Sequence, residues 1–541
     1  MKNSMVSSSV FAQSGDGNLA IALQDVFYTF EGEASQAIDG ISLAIRAGEW
    51  VTIAGPSGCG KSTLGGLLSG YLPRAGGGSR EGRVTVGGFD PASAEIADLA
   101  GVIGIVFQDP DAQLVQGRLE DEVAFGPENL CLPVESIERR VTASLQDADL
   151  LERRRDNVNE LSGGGRQRAA VASVLALEPP ILVLDEAAAS LDAASRQRLL
   201  ALLRRLHQSG RTLVTLTGRL DELALAAPRL VVLAAGRIAA DGATAELLRD
   251  QRPLLSGLGL LPQAPGEAPR GEAAPAAGSR ERQSAASPQA PASPAAAAAA
   301  GPGAAPLLEL RGLSFAYGAK GRRRSGSRPD LTEPAVLKDV HMQIHEGEWH
   351  ILRGDNGSGK TTLSRLMLGL LPAPPGAIFW KGRDASRSSL YELAEDIGYV
   401  FQHPEQQFVA STVLDELLYG PRCSLKLRTK DATPEPLLLK AKEMLRMIGL
   451  EGREQASPYV LGGGEKRLLS AAAGFMTGKR LILLDEPTAG TDYAGARLLS
   501  ALCRKAVSEG TAILMITHEP KFFAGEQTKI WTLDNGKLRE N

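Results

Sequence analysis

One nine-residue stretch occurs twice and constrains the rest of the chain. Gly55-Pro56-Ser57-Gly58-Cys59-Gly60-Lys61-Ser62-Thr63 and Gly354-Asp355-Asn356-Gly357-Ser358-Gly359-Lys360-Thr361-Thr362 both read G-x-x-x-x-G-K-[ST]. Such a loop joins a buried strand to a helix, with its glycines turning backbone N–H groups and the helix dipole toward phosphate. Lys61 and Lys360 would reach the outer phosphates, and the hydroxyls of Ser62 and Thr361 would hold Mg²⁺. The lysines lie 299 residues apart, and other features recur at nearly the same interval. Short apolar strands end in Asp185-Glu186 and in Asp485-Glu486, 300 residues apart, and Thr217 and Thr517 share that spacing. Asp185 and Asp485 would hold Mg²⁺, and Glu186 and Glu486 would act as general bases toward water.

The spacing predicts two copies of one domain within 541 residues, at 19–251 and 307–541. The first copy reads as strands over 19–23, 26–30, 41–45 and 50–54, a helix over 64–72, a strand over 102–107, helical patterns over 136–155 and a strand over 212–217. Between the copies, 252–306 is dominated by Ala, Pro, Gly and Ser without periodicity, which predicts a disordered tether reaching on the order of 40 Å. Residues 1–18 predict a disordered N-terminus without a signal-peptide pattern. The basic run over 320–328 reads as a solvated loop, with acidic lipid headgroups as the alternative contact. A net charge of −4 gives no global basic footprint for nucleic acid. Four scattered cysteines fit reduced thiols. No apolar run reaches the roughly 18 residues of a membrane span, which predicts a peripheral protein at the cytoplasmic face of a membrane that another subunit supplies.

Leu161-Ser162-Gly163-Gly164-Gly165 resembles the signature motif of ATP-binding cassette (ABC) ATPases. The resemblance implies an α/β fold: two tandem P-loop nucleotide-binding domains, each with a mostly parallel core sheet, an antiparallel β subdomain and a helical subdomain. It implies ATP and Mg²⁺ as ligands, and cassettes paired head to tail within the chain, each ATP lying between one phosphate loop and the other signature. The second signature is Leu461-Gly462-Gly463-Gly464-Glu465. Gln108 and Gln402 match the glutamine that contacts Mg²⁺ and the attacking water. Ala189-Ser190-Leu191-Asp192 and Ala489-Gly490-Thr491-Asp492 match the D-loop, and Phe30 and Tyr317 match the aromatic residue that stacks on adenine.

The stretches Phe107-Gln108-Asp109-Pro110-Asp111-Ala112-Gln113 and Phe401-Gln402-His403-Pro404-Glu405-Gln406-Gln407, with Glu120-Asp121-Glu122 and Asp415-Glu416 beyond them, resemble the ATPases of energy-coupling-factor (ECF) importers. That resemblance implies a transmembrane coupling subunit and a small substrate-binding membrane subunit as partners, with a vitamin, vitamin precursor or transition-metal ion as cargo. The acids past Gln108 would meet arginines of the coupling subunit. Two other readings remain open. Twin-cassette proteins acting on ribosomes carry long, charged, helical linkers, unlike 252–306. ATPases of exporters fit the stretches after Gln108 and Gln402 poorly.

The halves depart from the family pattern unequally. His518 follows Thr517, whereas Gly218 follows Thr217; Ser162 stands in the first signature, whereas Gly462 replaces serine in the second. With head-to-tail pairing, the Lys61 site lacks both groups and the Lys360 site has both. Gly165, where many signatures carry Gln, is a milder departure. One competent and one degenerate ATP site are expected.

Overall fold

The computed structural model describes residues 18–33, 35–161, 163–189, 191–262, 305–317, 335–428, 431–523, 525 and 528–541. The expected tails and linkers within 1–17, 263–304 and 320–328 lie outside these residues, as do Ser162 and Ser190.

Each half is built on a six-stranded sheet. In the first half the strand order is Ile103–Val106, Ile181–Asp185, Thr212–Thr217, Trp50–Ala54, Arg229–Ala234, Arg237–Ala243. All neighbours are parallel except the last, a hairpin. Trp50–Ala54 and Ile181–Asp185 are buried at every residue, which is why they read as continuous apolar runs rather than alternating ones. The second half repeats the order with Ile397–Val400, Leu481–Asp485, Ala512–Ile516, Trp349–Arg353, Thr528–Asp534 and Lys537–Glu540. Both phosphate loops leave the carboxyl end of a central strand flanked on both sides, where open α/β sheets place ligands.

A separate antiparallel sheet packs with each core: Leu19–Thr29 with Ile38–Arg46 and Ser79–Val86, and Leu308–Phe315 with Leu337–Ile344 and Ile378–Trp380. Helices Leu119–Asn129, Val134–Asp147 and Gly163–Leu175, and their counterparts Val413–Ser424, Glu435–Met447 and Gly463–Met476, form the helical parts.

Several boundaries differ from the sequence reading. The strands expected over 19–23 and 26–30 are one strand, Leu19–Thr29, with a bulge at which Asp25 takes φ 47° and donates its N–H to Ser42 Oγ. The helix expected over 64–72 is Lys61–Leu68, beginning on the phosphate-loop lysine itself. That expected over 136–155 is Val134–Asp147, followed by a separate turn at Leu151–Arg153.

The largest difference lies at the start of the tether. Arg252–Gly257 is helical, and Leu255, Leu260 and Leu261 are buried with Leu220, Leu230 and Val232 of the first core. Composition hid this because three spaced leucines suffice to dock a short segment whose other residues are polar or small. Deleting most of 264–300 should therefore leave hydrolysis nearly unchanged. Deleting 252–262 removes three buried leucines, each contributing about 1.5–3 kcal/mol, and should lower the melting temperature by several degrees or more. Calorimetry and ATPase assays on the two deletions check this.

Candidate ATP sites at the interface between the halves

The phosphate loops close tightly. Gly60 and Gly359 take φ 102° and 106°, and a Cβ on Gly60 would lie 2.6 Å from the Ala37 carbonyl oxygen, so glycine is required there. Lys61 Nζ donates to the carbonyls of Gly55 (2.7 Å) and Pro56 (3.0 Å); Lys360 Nζ donates to those of Gly354 (2.6 Å) and Asp355 (3.0 Å). Both lysines are buried. Burial lowers the Lys360 pKa, opposed by the charges of Glu486 and Asp485.

Asp185 and Asp485 end their strands next to these lysines, and burial pushes both carboxyls up. Asp185 accepts from the Ser62 hydroxyl, leaving its Oδ1 buried and unpartnered among the described residues. A hydroxyl beside a free carboxylate oxygen is a hard-oxygen donor set that fits Mg²⁺. Asp485 Oδ2 instead accepts from the Tyr399 hydroxyl at 2.7 Å. Tyr399 did not emerge from the sequence, because nothing local marks a strand tyrosine as a carboxylate partner.

Glu186 and Glu486 occupy left-handed backbone, φ 51° and 46°. Their N–H groups donate to the carbonyls of Leu216 (3.0 Å) and Ile516 (2.9 Å). Strain of this kind costs about 1 kcal/mol or more and collects at functional sites. Burial raises Glu186 to about 7, opposed chiefly by Lys61. Burial, with the charge of Asp485, raises Glu486 to about 8.

Here the two halves diverge. The His518 ring hydrogen-bonds Asn356 Oδ1 through Nε2 (3.2 Å), and its backbone N–H donates to Glu486 Oε2 (3.4 Å); Nε2 also lies 3.3 Å from Glu486 Oε1, which is buried without a hydrogen-bond partner among the described residues. Burial, then Lys360, lowers this histidine to about 4, so it is neutral near pH 7. In the first half a Cβ on Gly218 would stand 3.2 Å from Glu186 Oε1: the backbone passes the equivalent place without a side chain.

The halves meet head to tail. Asp492 Oδ2 accepts from Ser57 N–H (2.9 Å), and Asp192 Oδ2 from Asn356 N–H (3.3 Å). A Cβ on Gly164 would lie 2.9 Å from Asn356 Nδ2, and one on Gly464 2.2 Å from Ser57 Oγ. Each signature therefore abuts the other half's phosphate loop. At Gly462 a Cβ would meet Gly58 N at 2.9 Å, so the missing serine also permits closer approach on the Lys61 side. Glu465 caps the Gly462 N–H (2.9 Å) and pairs with Arg453 (3.0 Å).

Gln108 is wedged against the second half, its side chain lying 3.2 Å from a Cβ position on Gly463 and 2.3 Å from one on Gly490. Gln402 is half-buried. Phe30 and Tyr317 are 38% and 45% exposed, so their rings are open to a stacking partner rather than packed away; the Tyr317 hydroxyl lies 3.0 Å from Thr362 Oγ1.

The acids beyond Gln108 do not form the single solvent-facing cluster expected. Glu122 is buried, and its Oε2 accepts from the N–H groups of Val115 (2.8 Å) and Gln116 (2.6 Å). Glu416 repeats the arrangement with Val409 and Ala410, at 2.9 Å each. Glu120 pairs with Arg118 and Arg154. Asp121 and Asp415 remain exposed.

A family model described as ABC transporter matches residues 38–189 and 337–489. An ABC transporter ATP-binding protein of Caldanaerobacter subterraneus is 32% identical over 535 residues, 96% of this chain and 90% of that one. YkoD of Bacillus subtilis, whose name describes an HMP/thiamine import ATP-binding protein, is 32% identical over 521 residues, again 96% and 90%. Among solved structures, cbiO1 of Clostridium perfringens, part of the ABC transporter complex cbiONQ, is 30% identical with TM-score 0.40, covering 44% of this chain and 94% of its own.

Proposed function

Because this chain belongs to the ABC transporter family and carries two ATPase cassettes, we propose that it powers an ECF-type importer through one competent and one degenerate ATP site. The observation that carries the asymmetry is the His518–Glu486–Asn356 contact on one side, matched by Gly218 on the other. At the Lys360 site, Glu486, whose ionised form the Lys360 charge favours against its burial, takes the proton of the attacking water, and His518 holds the carboxylate through its backbone N–H and the loop through its ring. By the family resemblance, the first signature's Ser162 would bond the terminal phosphate there. At the Lys61 site the phosphate grip is kept, while the histidine and serine are missing. One hydrogen bond to a charged group contributes roughly 1.5–3 kcal/mol, so a single such loss slows a step about tenfold to over a hundredfold. Mg²⁺, when bound, neutralises phosphate charge; Ser62, Asp185 and Gln108 would hold it at one site, and Thr361, Asp485 and Gln402 at the other.

The stretches after Gln108 and Gln402 support the ECF reading. Asp121 and Asp415 are exposed on the first turns of helices Leu119–Asn129 and Val413–Ser424, and they would meet arginines of a coupling subunit. Likeness to YkoD favours a thiamine-related precursor as cargo over a metal ion. No helix among the described residues is long and apolar enough to cross a membrane, so membrane subunits would supply the path. Asp121→Lys with Asp415→Lys should abolish co-purification of the coupling subunit while ATP binding persists. Undiminished recovery of the subunit would refute the docking assignment. Uptake of labelled hydroxymethylpyrimidine, thiamine and cobalt by cells with and without the chain tests the cargo.

A further inference from the structure

The residue after the first half's switch position, Arg219, makes several contacts across the interface between the halves. Arg219 reaches across to donate Nε to the Thr491 carbonyl and Nη2 to the Thr488 carbonyl (3.0 Å) and Thr491 Oγ1 (2.9 Å). Its Nη1 pairs with the Glu519 carboxylate. The guanidinium also sits 5.4 Å from the Tyr493 ring centre and 5.1 Å from that of Phe522, within cation–π range. Its side chain is only 12% exposed. A planar fork with five donors can serve two carbonyls, a hydroxyl and a carboxylate at once, which a lysine cannot.

The loop that Arg219 grips, Thr488 to Tyr493, is held by the first half at two more points. Asp492 accepts from Ser57 N–H, and Tyr493 donates its N–H to the Gly259 carbonyl (3.0 Å). Gly259 belongs to the segment just after the Arg252–Gly257 helix, so that segment also joins the two halves.

The mirror side cannot make these contacts. At the 300-residue offset, Arg219 corresponds to Glu519, Thr488 to Ala188, Thr491 to Leu191, Tyr493 to Ala193 and Phe522 to Glu222. Glu519 has no donors for carbonyls, and the mirror loop has no hydroxyl at Leu191 and no ring at Ala193. Four side-chain differences at matched positions (219/519, 491/191, 493/193 and 522/222) thus build one clasp, on the side of Lys61. The contacts of Arg219 itself use no phosphate-loop group, so they do not require nucleotide.

We infer that Arg219 is a positioning residue that keeps the second half's 488–493 loop seated on the first phosphate loop throughout the cycle, so that the halves part on the Lys360 side alone. This does not depend on which site hydrolyses ATP. Hydrogen exchange measured by mass spectrometry on the full chain without nucleotide tests it. Arg219→Ala should accelerate exchange across 487–494 by about tenfold or more while 187–194 stays unchanged. Arg219→Lys, which keeps the charge opposite Glu519 but loses the fork, should fall between. Tyr493→Ala, which leaves the first half intact, should shift 487–494 in the same direction. In the assembled transporter, Arg219→Ala should raise the ATP concentration for half-maximal hydrolysis by more than it lowers the maximal rate, because ATP must then close both sides. Unchanged exchange in 487–494, or equal acceleration in both loops, would overturn the inference. A failure of the one-site reading of hydrolysis would appear instead in the glutamate-to-glutamine rates and leave the exchange pattern intact.

Discussion

Glu486→Gln is expected to lower steady-state hydrolysis by the assembled transporter by about a hundredfold or more, while Glu186→Gln keeps a substantial fraction of the rate. Glu486 is buried and Glu186 half-buried; both follow a strand aspartate and both sit in left-handed backbone. Position alone therefore predicts equal losses, and the surroundings break the tie. Glu486 has His518 at 3.3 Å, and through it Asn356 of its phosphate loop. Glu186 faces Gly218, which offers no side chain. A base contributes to rate only where the rest of the machinery stabilises the transition state, because groups that act as a unit are strongly non-additive. Glutamine keeps the size and the hydrogen bonding, so ATP should still bind to both variants. Phosphate release by the three proteins at saturating ATP decides the matter; equal losses would show that the two sites are equivalent in hydrolysis.

Lys61→Ala should reduce hydrolysis further than Glu186→Gln, by at least about tenfold relative to the unmodified chain. Lys61 is the cation whose charge opposes the burial of both Asp185 and Glu186. Removing it takes away the phosphate grip and the counter-charge of both carboxyls, whose pKa values are then pushed further up. If closure needs both nucleotides, loss at the degenerate site stalls the competent one. The direct measurement is stoichiometry: in the Glu486→Gln background, retained ATP should fall from two per chain to one when Lys61→Ala is added. Retention of two would separate Lys61 from nucleotide binding.

Four of the six core strands of the first half and the positions beside the phosphate loops were legible from sequence because each rests on residues close together in the chain, whereas the hairpin Arg229–Ala234 and Arg237–Ala243 was not. A fully buried strand reads as an apolar run, and a loop lysine, a strand-end acid pair and a threonine two positions before Arg219 or Glu519 declare themselves by spacing. Contacts set by which backbone groups happen to lie free were not legible. Glu122 and Glu416 read as surface charge, yet each binds two consecutive N–H groups of the preceding loop. Gln113 and Gln407 were part of the quoted motifs without a role; Gln113 accepts from Phe107 N–H (3.2 Å) and Gln407 from the Ser470 hydroxyl (2.8 Å), fixing the loops that follow Gln108 and Gln402. The clasp residues lay hidden for a different reason. Arg219 and Tyr493 are 274 positions apart, and only the placement of one half against the other brings them together. One signal was available: matched positions 219 and 519 carry opposite charges.

That opposition bears on how the gene product can be assembled. Positions 219 and 519 face each other across the approximate twofold axis relating the halves. Two copies of the first half would set arginine against arginine there, with leucine and alanine where the Thr491 hydroxyl and the Tyr493 ring should be. Two copies of the second would set glutamate against glutamate. Like charges at a partly buried contact disfavour both self-pairings, so the halves recognise each other as distinct partners even without the covalent join. Expressed as separate polypeptides, they should form mixed pairs in preference to either homodimer.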